Sequence, residues 1–193
     1  ITFSWSFDAD DYTPFNDFGF AVIDGKAIKL TDISQVGSEN AIGWRTFAYT
    51  ATADGPLPIG FGVMNTGDLK GESHLLIDKL AVNGEGRESF ESGNLTGWDS
   101  IGNATVVTSH DEGGGTPTDG AHMAKITSVS DVPEGVLEGF FGLDAGTMDA
   151  VAAARLGSLA WGILDDEGLP HGIQGGEGDI LVNPDPDYNE ATF

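Results

Sequence analysis

Five side chains within residues 8–17, those of Asp8, Asp10, Asp11, Asn16 and Asp17, offer enough oxygen to hold a hard cation. Calcium asks for about 6–8 oxygen ligands at flexible spacing, and a loop that folds back on itself can present them. The spacing is not that of an EF-hand. A loop started at Asp8 has Asp10 at its third position, but Thr13 where glycine is needed and Gly19 where the bidentate glutamate belongs. A solvated acidic turn fits the same residues, although Pro14 and the aromatic Tyr12, Phe15 and Phe18 favour a packed, ordered loop.

Asp78 poses a sharper problem. In "HLLIDKLAV" strand alternation puts it on one face with Leu76, Leu80 and Val82. A carboxylate on an apolar face must be paired, protonated or bound to a metal. Glu91, in "SFESG", is expected to sit similarly, beside an aromatic residue at the start of a strand. The mundane alternative leaves both faces partly in water, with Asp78 beside Lys79 or Lys125. Towards the end of the chain, "GGEGDILV" (175–182) is similar to a calcium-binding nonapeptide but occurs once, and such repeats bind only in stacked arrays. "NPDPDYNE" (183–190) is a second carboxylate-rich loop, stiffened by the prolines around Asp185. Asp185, Asp187 and Tyr12 are candidate ligand contacts on the rim of a calcium-linked cleft.

Catalytic patterns are missing. The chain has no G-x-S-x-G elbow, no H-E-x-x-H helix and no P-loop. His74, His110, His122 and His171 are scattered without metal-ligand spacing, and read as surface or packed histidines. A carboxylate pair could serve a glycosidase, but among so many acids one pair proves nothing. The expectation is a protein that is not an enzyme.

Strands must position these groups. "ITFSWSF" alternates, with Ile1, Phe3, Trp5 and Phe7 on one face. "DFGFAVIDGKAIKL" reads as a hairpin turning at Asp24-Gly25. "WRTFAYTAT" and "IGFGVMN" follow, joined by "ADGPLP", and "HLLIDKLAV" precedes a linker or tight turn at "NGEG" (83–86). "NATVVTSH" and "AHMAKITS" are further strands. One helix is expected, N-capped by Asp144 with a stripe of Met148, Val151, Ala152 and Leu156 and with Gly157 beyond its end. Residues 163–193 read mostly as loop. The fold class is therefore all-β, an antiparallel β-sandwich of jelly-roll type with one short helix and long loops.

Composition narrows the partners. The 193 residues carry 31 acidic against 8 basic side chains, a formal charge of −23. That excludes a basic footprint for nucleic acid or anionic membrane surfaces and makes cations the natural partners. There is no cysteine, hence neither disulfides nor thiolate metal sites, and 29 glycines suit an extracellular bacterial protein that relies on calcium. Cytoplasmic proteins of salt-loving organisms share this composition. No apolar run approaches the roughly 20 residues of a membrane helix, and no signal-peptide pattern opens the chain.

Several motifs together resemble a module of very large bacterial surface adhesins, including calcium-dependent RTX-type adhesins. They are "FSWSFDADDYTPFNDFGFAVIDG", "GWRTFAYTATADG…IGFGVMNTGD", "SHLLIDKLAVNG" and "FESGNLTGWDSIGNATVVTSH…GTPTDGAHMAKITS". Related jelly-roll sugar-binding modules open on a "FE-x-G…GW" strand and close on an "ID-x-L" strand, whose Glu and Asp often share a structural calcium. The resemblance implies that pairing for Glu91 and Asp78. It also implies an extracellular, cell-surface, calcium-stabilised module with a structural or assembly role, or alternatively a calcium-dependent peptide- or carbohydrate-binding domain. The order departs from the family, because there the "FESG" half precedes the "FDADDY" half. The chain is thus one sandwich built of two half-modules, 1–84 and 87–193: permuted, cut out of phase from an array, or sharing strands with neighbouring modules or like chains. If the halves pack as in the family, residues 1–7 border an open sheet edge.

Overall fold

A computed structural model describes residues 1–52, 55–67, 70–111, 115–128 and 132–153. Nine strands and three helices follow in order: β1 (Thr2–Ala9), β2 (Phe18–Ile23), β3 (Lys26–Asp32), α1 (Ile33–Val36), β4 (Asn40–Ala48), β5 (Ile59–Met64), β6 (His74–Val82), β7 (Glu85–Glu88), β8 (Asn103–Val107), β9 (Met123–Thr127), α2 (Glu134–Phe141) and α3 (Thr147–Ala153). The strands form an antiparallel β-sandwich. Its larger sheet runs β4-β1-β6-β9-β8, with β7 also on β6, and its smaller sheet runs β3-β2-β5.

The alternation of "ITFSWSF" sets the inner face of the larger sheet. Phe3, Trp5, Phe7 and Ala9 meet Leu75 and Ile77 of β6 and Ala21, Ile23, Ile28 and Leu30 of the smaller sheet in one apolar core. The sheets approach closely at Gly19, where a Cβ would sit about 3.1 Å from Leu75 and 3.2 Å from Phe7. The opposite face of β1, with Ser4, Ser6 and Asp8, is buried as well. It is covered by loops rather than by water.

The hairpin at Asp24-Gly25 is present, with φ of 56° and 70°, both positive as a two-residue type I′ turn requires. "NGEG" is a second such turn, joining β6 to β7 through Asn83 and Gly84. β4 and β5 do not pair with each other, since they belong to different sheets. β2 is buried along its whole length because helices cover the second face of the smaller sheet. There Phe18, Phe20 and Val22 pack with Leu137 of α2 and with Met148 and Val151 of α3.

The helix expected from Asp144 begins at Thr147, whose N–H donates to the Asp144 carbonyl, and Leu156 and Gly157 lie outside the described residues. Two further helices accompany it. α2 starts after Pro133 and stops at Gly142, which adopts a left-handed conformation and returns its N–H to Glu138 and Gly139. α1 is a single turn capped by Asp32, whose carboxylate accepts from the Gln35 N–H.

The expected open edge beside residues 1–7 is not there. β1 is paired on both sides, by β4 and by β6. β5 instead has its outer edge unpaired among the described residues.

Candidate functional site

The outer face of the larger sheet carries a buried polar row. Register pairs Ser4 with Asp78, Ser6 with Leu76 and Asp8 with His74. Between β8 and β9, residues 108–111 and 115–122 meet this row at its two ends, through His110 and through Thr118 and Asp119. Trp44 of β4 adds a third fastening through its indole N–H, which donates to the Thr116 carbonyl at 2.9 Å.

At one end stands Asp78, which is fully buried. Its Oδ2 accepts from the Thr118 N–H at 2.6 Å, the Thr118 hydroxyl at 2.9 Å and the Asp119 N–H at 2.8 Å. Its Oδ1 accepts from the Lys79 N–H at 2.7 Å, made possible by the left-handed φ of 53° at Lys79. The lone carboxylate expected on an apolar face is thus satisfied by backbone donors rather than by a lysine ammonium. Glu91 holds two residues further along, beyond Gly120, accepting from the Ala121 N–H at 2.9 Å and the His122 N–H at 2.9 Å. These two amides lower its pKa, the Ala121 contribution being the larger. Glu91 differs from expectation in its setting: it sits in a turn after Phe90 with its side chain 43% exposed, not at a strand start on an apolar face. Asp78 and Glu91 therefore meet through one segment, 118–122. Gly120 in that segment has a φ of 68°, and a Cβ on it would overlap the Glu91 carboxylate.

At the other end, Asp8 Oδ2 lies 2.8 Å from His110 Nε2. The His110 ring packs edge-on against His74 with centroids 4.9 Å apart, and His74 Nδ1 lies 3.1 Å from the Thr127 hydroxyl. Burial, then Lys125 and His110, push the His74 imidazole down to about 4, against the pull of Asp8. Asp8, His74 and His110 each offer one ligand atom, all within 4.8 Å of one another, the only such His/Asp/Glu group of three or more among the described residues. The sequence hid this group, because His74 and His110 stand far apart in the chain and meet only through strand register and the returning loop.

The remaining residues of the opening cluster turn to separate tasks. Asp11 is buried, its Oδ1 accepting from the Tyr12 N–H, and Asp10 is exposed. Asn16 accepts from the Ser34 N–H at 2.8 Å. Asp17 is fully buried and accepts from the Thr66 N–H at 2.9 Å and the Ser73 hydroxyl at 2.7 Å, tying the loop to the segment before β6. Tyr12 is 52% exposed and rests edge-on against Phe15. Asp185 and Asp187 lie outside the described residues, as does the "GGEGDILV" segment.

Compared with protein-family models, curated proteins and solved structures, the chain matches none.

Two further features complete the chemistry. A cavity of about 430 Å³ opens between β5, the segment 95–104 and α2, lined by Phe61, Val63, Trp98, Ile101, Phe140 and Phe141 among others. Between α2 and α3, Glu134, Glu138 and Asp149 are all buried. Burial first, then the charges of Asp149 and Glu138, push Glu134 up to about 9. Burial and Glu138 push Asp149 up to about 6. Glu138 accepts from the Met148 N–H at 3.0 Å, which docks the start of α3. No helix among the described residues is long and apolar enough to cross a membrane.

Proposed function

We propose that the chain is an extracellular β-sandwich module of a bacterial surface adhesin or fibre, non-enzymatic, stabilised by calcium and structural in role. One observation carries the reading: residues before and after the turn at 83–84 are bonded to one another in one sheet. β6 pairs with β9 over His74–Ile77, and Asp78 grips Thr118 and Asp119 of a segment whose Ala121 and His122 are held in turn by Glu91. Such cross-ties suit a spacer whose task is to keep its shape between neighbours. The formal charge of −23 supports the calcium part, because self-repulsion of that size weakens a compact state unless divalent ions offset it. The edge of β5, unpaired among the described residues, supports assembly with neighbouring modules or like chains through strand addition.

The test is thermal unfolding and calorimetric titration of the chain with calcium. An ion that binds only the folded state raises the melting temperature by mass action. A melting curve unchanged between excess EGTA and saturating calcium refutes the calcium part, and a chain that stays monomeric at high concentration refutes assembly through β5. The cavity favours a second reading, a peptide- or carbohydrate-binding domain. Trp98 and Phe61 at its wall offer aromatic faces on which a sugar ring or an apolar side chain stacks. A glycan and peptide array is the screen, and Trp98→Ala should abolish any hit that uses the cavity.

A further inference from the structure

We propose that Asp8, His74 and His110 form a binding site for a divalent transition-metal ion of the zinc class, which takes Asp8 out of the expected calcium set and is independent of the adhesin reading. Two imidazoles and one carboxylate are the donor set that zinc and its first-row neighbours prefer, whereas calcium takes oxygen. The three ligand atoms already lie within 4.8 Å of one another, close enough to converge on one ion with small side-chain rotations. Asp8 is 4% exposed, and its Oδ1 is buried without a hydrogen-bond partner while Oδ2 faces His110. An unfilled buried carboxylate oxygen costs stability, and an ion removes that cost.

The surroundings pre-set the ligands. Thr127 on β9 lies 3.1 Å from His74 Nδ1; in the tautomer in which its hydroxyl accepts from that nitrogen, Nε2 is deprotonated for a metal, the usual outer-shell device for fixing a ligating imidazole. Asp8 and His74 face each other in register on the central strands β1 and β6, so two ligands ride on rigid elements. His110 comes from the loop and closes over them. On metal binding the His110 Nε2 exchanges its hydrogen bond with Asp8 for the ion, its proton moving to Nδ1 through solvent. Three protein ligands leave a fourth position for water. The ion would thereby fasten the segment around His110 to the sheet at the end opposite Asp78.

The test uses the full chain, stripped of metal, with zinc titrated calorimetrically in excess calcium and cobalt(II) as a spectroscopic probe. The expected result is one saturable zinc site undisturbed by calcium, with visible d–d bands from bound cobalt(II) that zinc bleaches. His110→Ala and Asp8→Asn should each weaken zinc binding at least about tenfold. His122→Ala, beside Glu91, should leave it unchanged. Because His110 lies on the loop, that variant keeps the sandwich core intact and remains measurable if Asp8→Asn fails to fold. Absence of cobalt bands, zinc binding that calcium displaces, or binding unaffected by His110→Ala would each overturn the proposal. The calcium reading is measured on the chain already stripped of zinc, by adding calcium back alone, so either can fail without the other.

Discussion

Replacing Asp78 by alanine removes the acceptor of four donors at once: the amides of Lys79, Thr118 and Asp119 and the Thr118 hydroxyl. Thr118 and Asp119 lie on the exposed side of the loop, so water can reach their amides if the loop lifts. In that case the loss is the net worth of hydrogen bonds to a charged acceptor, about 1.5–3 kcal/mol each but not additive. If the loop stays in place, each unsatisfied buried donor adds a penalty of about 1–3 kcal/mol. Loop relaxation limits the sum, and the expected cost is about 3 kcal/mol, with Asp78→Asn in between because one oxygen survives. The exposed Asp111→Ala serves as control and should stay within about 0.5 kcal/mol of the parent. Urea unfolding followed by tryptophan fluorescence gives the free energies, and amide exchange at residues 118–122 reports the loop. An Asp78→Ala chain as stable as Asp111→Ala, or one destabilised with exchange at 118–122 unchanged, would refute the latch.

Three more outcomes are expected. Glu134 and Asp149 have folded-state pKa values above their unfolded ones, so the folded chain holds protons that the unfolded chain releases; stability should fall as pH rises from about 4.5 towards 9 for Glu134, and between about 4 and 6 for Asp149. Glu134→Gln should flatten the decline and gain about 1–3 kcal/mol at pH 8, and equal slopes in both proteins would count against the buried acid pair. Gly62→Ala places a methyl into the Phe20 ring and should cost about 1–3 kcal/mol, whereas Gly86→Ala meets open space and should be near neutral; urea midpoints compare them. Lys29→Ala removes the ammonium that bonds both Asp32 at 3.1 Å and the Ala152 carbonyl at 2.6 Å, so it should loosen α3 and lower the melting temperature markedly, read by helix ellipticity and calorimetry.

What the chain spells out locally, it spells out well. Phe3, Trp5 and Phe7 alternate because one face of β1 meets the core, and Asp24-Gly25 marks its turn because both positions need positive φ. The helical layer was harder to see. Gly135 and Gly139 dilute the apolar stripe of α2, and only Pro133 and Gly142 punctuate it. β2 alternates too, but Phe18, Phe20 and Val22 serve one interface and Ala21 and Ile23 another, so hydrophobicity runs unbroken. The acidic clusters were legible as acidic and not as arranged. Asp17 and Asp78 look like cation ligands in sequence, yet the structure turns them onto backbone and hydroxyl donors distant in the chain. Asp8, His74 and His110 carry no local pattern, because three separate segments bring them together.

The central position of β1 has a consequence in time. Its neighbours are β4, complete only at Ala48, and β6, complete only at Val82. At synthesis rates of about 5–20 residues per second, roughly 70 residues separate the end of β1 from the end of β6, a delay of about 4–15 seconds. Throughout it, "ITFSWSF" waits outside the ribosome with three aromatic side chains and one or both edges unpaired. The aspartates just behind it, Asp8, Asp10 and Asp11, then act as gatekeepers against self-association while the sheet is incomplete. Their charge serves the nascent chain before it serves the finished one.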